Sequence, residues 1–316
     1  MAGAVIAHIL SGPPPPKFSL GALFSQWQAD PYALAGILAA GLLYWWGIRR
    51  LSGTPPEWPW SRIAAFYGGL GVCMVALLSP VDRYATVNFS THMLQHLLLV
   101  MGAAPLFALG APITLALRAA RPGTRKNVLL PILRSRPVSL LTHPIVAWLL
   151  FAVVMYASHF SGLYNLALAH EWVHAGEHLL YLLTGVLFWW PVVGLDPAPH
   201  RMSHPARILY VVLAMPLTAF LGVAILSASS PLYPWYAHLP APWGGASALS
   251  DQQDAGAIMW EFGGGASVVA VLLVAASWFR HEEARQRRIE DEMDRLTGGP
   301  VGLGMEMGEV PTVRSG

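Results

Sequence analysis

Cysteine is all but missing from this chain: Cys73 is the sole one in 316 residues. That excludes an internal disulfide and any cysteine-rich metal site. Its place inside an apolar stretch reads as a small buried hydrophobe. Charge is scarce as well, at 11% Asp, Glu, Lys and Arg, where a soluble domain carries about a quarter. A formal net charge of +2 says nothing in favour of nucleic acid, which is not an expected partner. The N-terminus lacks a basic leading region, its apolar run is short, and Pro13 to Pro16 follow. It is therefore not read as a cleaved signal peptide. No internal repeat is visible.

What the chain has instead is apolar length: 55% of its residues are hydrophobic. A span needs about 20 mostly apolar residues, and seven segments qualify: Tyr32–Leu51, Arg62–Ser79, Phe89–Gly110, Thr142–Phe160, His170–Val193, Arg207–Ser229 and Ala255–Phe279. Turn-forming pairs such as Ser79-Pro80, Asp196-Pro197 and Ser230-Pro231 separate them. The expected fold is an all-α integral membrane protein, a bundle of seven transmembrane helices. It divides into an extracytoplasmic N-terminal segment 1–31, a seven-helix membrane domain 32–279, and a charged helix with a disordered Gly-rich tail over 280–316. In that tail, Glu283/Arg287 and Asp291/Arg295 stand at i,i+4, which suits a short solvated helix.

Basic residues set the orientation, because cytoplasmic loops are enriched in Lys and Arg. All of the 19 Lys and Arg except Lys17 and Arg83 gather on one side of a seven-span arrangement. The N-terminus is thus expected outside and the C-terminus in the cytoplasm, with membrane lipid as a partner. The 111–141 loop alternates basic residues with Val128-Leu129-Leu130 and Ile132-Leu133, as a segment lying on the anionic inner leaflet would.

This orientation sorts the histidines. His8, His92, His96, His159, His170, His174, His178 and His238 fall outside or in the outer half, leaving His143, His200, His204 and His281 on the cytoplasmic side. Ionisable side chains inside a bilayer are expensive and read by default as functional, and imidazole is the commonest metal ligand. His92 and His96, four apart on a helix, share one face about 6 Å apart along the axis. His170, His174 and His178 form an i, i+4, i+8 stripe about 12 Å long, too long for all three to reach one ion. The deeper pair, His174 and His178, is expected to face His92 and His96. The third member is left as a second site, a ligand on the way in, or a hydrogen-bond partner. Such an imidazole site with a labile thioether, Met259, suits copper. Glu177 is placed to orient a ligand from behind. Asp251, Gln252 and Gln253 read equally as a capped helix start or as a rim that draws cations in. Because the ligands must be neutral imidazoles, loading is expected to weaken as pH falls through about 6.5.

Several pieces together resemble a known family. They are Thr91-His92-Met93-Leu94-Gln95-His96 with Ala104-Pro105-Leu106 and Gly110-Ala111-Pro112; His159 with Gly162-Leu163-Tyr164; His174-x-x-Glu177-His178 continuing to Gly185 and Trp189-Trp190-Pro191; and Asp251-Gln252-Gln253 with Gly256, Ile258, Met259 and Trp260. Over roughly 30–280 the chain resembles the multi-pass cytochrome c oxidase assembly factors of the CtaG type, associated with caa-type oxidases. A single-span copper chaperone shares the CtaG name, but its cysteine motif is absent here, so its copper handling does not carry over. The resemblance implies a non-enzymatic protein of the bacterial plasma membrane, with oxidase subunits as partners, that helps to build a haem–copper oxidase.

The expectation is therefore an assembly factor that binds copper in an outward-facing pocket of His92, His96, His174 and His178, with His170, His159 and Met259 as further donors. Two rivals stand beside it. One is a membrane haem protein with axial histidines from the third and fifth spans. The other is an intramembrane zinc metalloprotease, since His170-Glu171-Trp172-Val173-His174 spells H-E-x-x-H. Copper transport across the membrane would need polar residues in the inner halves of the spans, which are nearly all apolar.

Overall fold

The computed structural model describes residues 15–239 and 247–297. His8, the rest of residues 1–14, and the tail after Thr297 lie outside the described residues. Among the described residues the chain is helical, with no strand.

Seven long helices organise it. α1 (Pro31–Leu51) begins at Asp30, whose carboxylate accepts the N–H groups of Tyr32 at 2.8 Å and Ala33 at 3.3 Å, with Pro31 at the first helical position, where no N–H is needed. α2 (Trp60–Leu78) follows and leads through Ser79 into a short helix, Pro80–Ala85. α3 occupies 89–110 in three pieces: Phe89–Leu97, a wide π turn over Leu98–Ala103, and Ala104–Gly110. Ala111, at φ 48°, breaks it before Pro112–Ala119. α4 (Pro144–Phe160) bends by 69° into Leu163–Ala169. α5 (Glu171–Val193) stops at Gly194, whose φ of 64° is the usual left-handed helix end. α6 is His204–Leu226 and α7 is Ala248–Thr297.

Each apolar run of the sequence falls largely within one of these helices, with Thr142, His170 and residues 227–229 among those outside them. Five spans are long and apolar enough to cross a bilayer, or six if α4 and Leu163–Ala169 form one bent span. α5 has the length, at 23 residues, but carries Glu171, His174, Glu177 and His178. Large apolar side chains face outward from several helices, among them Leu42, Leu149, Val153, Leu183, Leu213, Phe220 and Leu272. Lipid is the solvent such surfaces fit. The chain is a multi-pass helical membrane protein.

The π turn in α3 has a local cause. Ala104 N–H bonds back five residues to Leu99 O, and the next donor in that register would be Pro105, which has none. The carbonyl of Val100 is satisfied instead by Trp189 Nε1 of α5, at 2.8 Å. Beside it, a Cβ on Gly185 would stand 2.9 Å from Ala104 Cβ and 3.2 Å from Val100 Cα. Only glycine lets α5 lie this close to α3, the small-residue packing that membrane helices use.

A buried cluster including Phe89, Met93, Phe151, Tyr164, Tyr181, Phe188, Leu221 and Met259 fills the space among α3, α4, α5, α6 and the start of α7. Residues 275–297 form a separate unit, exposed and charged, with Arg285 Nη1 3.4 Å from Glu282 Oε1. They are helical as far as Thr297.

Candidate metal centre

The N-terminus of α3 carries the first two histidines, and it is capped from outside. Asn88, at the cap position, makes no side-chain bond. Asp251 in the first turn of α7 supplies it: its carboxylate accepts Phe89 N–H at 2.5 Å, Ser90 N–H at 3.4 Å, and the Ser90 hydroxyl. Gln252, which is buried, accepts Leu232 N–H at 2.6 Å and donates to the carbonyls of Ile225 and Ser230. These two read from sequence as rim or cap, and in the structure they clasp helix and loop ends. Gln253 is half-buried.

One turn into α3, His92 and His96 are fully buried with Nε2 atoms 3.0 Å apart. α5 brings His174 and His178 against them. Ring centroids lie 5.0 Å apart for His92 and His174, 5.7 Å for His96 and His178, and 4.2 Å for His174 and His178. One donor atom from each of His92, His174 and His178 lies within 4.8 Å of the others, and the same holds for His92, His96 and Glu177. A tetrahedral ion with nitrogens about 2.0 Å away needs donors about 3.3 Å apart.

Hydrogen-bond partners fix two of the tautomers. Tyr236 has one hydroxyl proton and gives it to the carbonyl of Ala85 at 2.8 Å. Its oxygen therefore accepts at 2.9 Å from His92 Nδ1–H, so the lone pair is on Nε2, where it faces His96 Nε2 at 3.0 Å. His159 Nδ1 lies 2.7 Å from the Met155 carbonyl, which can only accept, so its lone pair is on Nε2 too, an atom with no partner. Backing a ligand's far nitrogen with a fixed acceptor is how proteins orient metal-binding imidazoles. His96 differs: its ring stacks on Tyr181 at 4.2 Å, and its Nδ1 has no partner.

Donor capacity is left over. His174 Nε2, His178 Nε2, His159 Nε2 and both carboxylate oxygens of Glu177 are buried with no hydrogen-bond partner. Glu177 Oε2 is 3.9 Å from His96 Nε2. Buried polar groups are nearly always satisfied, so this concentration of unpartnered donor atoms makes the cluster a candidate cation site.

The other sequence candidates lie outside the two donor triads. His170 caps α5 with extended backbone at φ −138° and is exposed, outside both triads, and Glu171 is exposed beside it. Met259 is fully buried in the apolar cluster that also holds Tyr164, Tyr181 and Tyr236. Sequence spacing does not reach Tyr236 or Tyr181, which back His92 and stack on His96. Tyr236 lies in the short helix Pro234–His238, anchored by Trp235 Nε1 to Thr86 O at 3.4 Å and by Tyr233 OH to His159 O at 3.3 Å. No helical spacing links that loop to α3. A run of Tyr233-Pro234-Trp235-Tyr236 beside histidine-bearing spans is the only signal for it.

Membrane-crossing helices around a buried set of imidazoles and one carboxylate define a polytopic membrane protein with a candidate metal centre. The family follows from the sequence match over residues 42–281: the chain belongs to the cytochrome c oxidase caa3 assembly factor family, Caa3_CtaG. It is also 30% identical over 290 residues to an uncharacterized protein of Mycobacterium bovis and to one of Mycobacterium tuberculosis, covering 90% of this chain and 43% of theirs. An uncharacterized Mycobacterium leprae protein is 31% identical over 278 residues, 85% of this chain and 42% of its own. The chain thus spans less than half the length of these curated relatives. No solved structure matches it.

Proposed function

We propose that this protein assists assembly of a caa3-type cytochrome c oxidase by binding copper at the His92, His96, His174 and His178 cluster and handing it to oxidase subunits. One observation carries the reading: buried, unpartnered imidazole and carboxylate donors converge within coordination reach. Nitrogen-rich donor sets with no thiolate suit copper among the metals an oxidase needs. His159 and Met259 are further donors around this set, with Glu177 either ligating directly or orienting His96. A haem would require a porphyrin-wide slot between axial ligands, whereas His92 and His174 are already in edge contact.

The role is that of a carrier and not an enzyme. The chain crosses the bacterial plasma membrane seven times, N-terminus outside, so the cluster opens toward the outer face, where α3 and α5 begin. Asp251 and Gln252 hold those beginnings together. The test is copper content of the purified full chain after loading, beside a His92→Ala/His96→Ala variant, with oxidase activity of membranes from cells carrying each. Copper bound by wild type, strongly reduced in the variant and accompanied by loss of oxidase activity, is the expected outcome. Equal copper in both overturns the site.

A further inference from the structure

The two sets of donors share one residue. His92, His174 and His178 form one triad, and His92, His96 and Glu177 form the other. His92 has a single lone pair to offer, because Tyr236 and the Ala85 carbonyl hold its proton on Nδ1. A neutral imidazole with one lone pair binds one ion, so both triads cannot be filled through His92 at once. They also differ in depth. His174 is half-buried, and His170, one turn earlier on the same stripe, is exposed, whereas His96 and Glu177 are buried.

We infer that the cluster is one site with two stations for a single ion, and that His92 is the pivot between them. The inference rests on the copper reading above. An ion arrives past His170 and His174 and is held first by nitrogens of His174, His178 and His92. It moves inward when its bonds to His174 and His178 break and bonds to His96 Nε2 and a Glu177 oxygen form, while the His92 Nε2 bond persists. No electron changes hands. His96 must carry its proton on Nδ1 for its Nε2 to ligate; the His92 Nε2 lone pair, 3.0 Å away, accepts from His96 Nε2–H, so the ion displaces that bond and the proton passes to Nδ1, which has no partner. The outer station is all nitrogen and the inner one includes a carboxylate oxygen, so the two differ in preference for a soft or a hard ion.

The test is anaerobic titration of the detergent-solubilised full chain with Cu(I) against a chromophoric chelator, joined to X-ray absorption of the loaded protein. Wild type is expected to bind one equivalent. A His174→Ala/His178→Ala variant and a His96→Ala/Glu177→Gln variant are each expected to keep one equivalent at reduced affinity, the first with an oxygen donor in its spectrum and the second without. His92→Ala is expected to bind none. Two equivalents in wild type, or loss of copper from both double variants, would overturn the two-station inference while leaving copper binding intact. A wild type that binds no copper overturns the parent reading with it. Two equivalents in wild type overturn the inference whether or not the variants fold.

Discussion

Two aspartates, Asp251 and Asp196, perform the same task at opposite ends of the helical stretch that begins with α3. Asp251 takes the N–H groups of Phe89 and Ser90. Asp196 takes Ile113 N–H at 3.2 Å, Thr114 N–H at 2.7 Å and the Thr114 hydroxyl at 2.6 Å, at the start of Pro112–Ala119, where Ala111 offers no side-chain cap. Hydrogen bonds to a charged group are worth about 1.5–3 kcal/mol each when a buried partner is left behind. Asp251→Ala should therefore cost about 2 kcal/mol of stability and lower copper affinity by loosening the turn before His92, measured by thermal unfolding and chelator competition. Unchanged affinity would mean that the cap does not position the site. Asp196 lies in the loop after α5, and burial pushes its carboxyl above the usual carboxylate range against the lowering effect of its Thr114 and Ile113 bonds. The folded state then holds the proton more tightly than the unfolded one, so stability should rise as pH falls through the raised value toward about 4. Asp196→Asn should flatten that dependence, which unfolding midpoints taken from pH 7 to pH 4 would read.

At the level of helices, the contact between α3 and α5 sets the distance between their imidazoles. It depends on Gly185 against Val100 and Ala104, and on Trp189 bonding the carbonyl that Pro105 leaves without a donor. Gly185→Ala should cost about 1–3 kcal/mol through overpacking and should reduce copper affinity without touching a ligand. Trp189→Phe should cost about 1–3 kcal/mol by stranding the Val100 carbonyl. Copper affinity that is unmoved in Gly185→Ala would show that the cluster does not depend on this approach. Much at this scale was legible in the sequence: the i,i+4 spacing of His92/His96 and of His174/His178 put each pair on one helix face, and the stripe length kept His170 away from the rest. What was not legible has a common physical origin. The Trp189 bond to the Val100 carbonyl and Tyr236 behind His92 depend on contacts between residues far apart in the chain, such as Tyr236 with Ala85. Periodicity within one helix cannot report such pairs. Asp251 read from sequence as a cap on its own helix or as a rim; that it caps α3 instead, 162 residues away in the chain, follows from closeness in space and from nothing in the local pattern.

For the whole molecule, orientation decides whether the histidine cluster can meet copper arriving from outside. The cluster lies near the end of the bundle marked by Asn88, Ser161 and Tyr236. Arg49, Arg50, Arg62 and Arg118 lie near the other end, where each guanidinium sits over Trp45, Trp46 or Trp58 at 4.8–5.7 Å from the ring centroid. Arginine stacked on tryptophan at a span end is an interfacial arrangement, and its concentration at one end agrees with the excess of basic residues in the 111–141 segment. If that end faces the cytoplasm, the exposed Ser161 between α4 and Leu163–Ala169 faces outward, and the exposed Thr124 faces inward. In a Cys73→Ala background, a membrane-impermeant maleimide should label Ser161→Cys in intact cells and Thr124→Cys only after the membrane is opened. The reverse pattern would turn the cluster toward the cytoplasm, and copper would then have to be supplied from the cell interior. Labelling of both in intact cells would mean that the two turns share a side, which an odd number of crossings between them forbids: the span count, and with it the outward-facing site, would have to be redrawn.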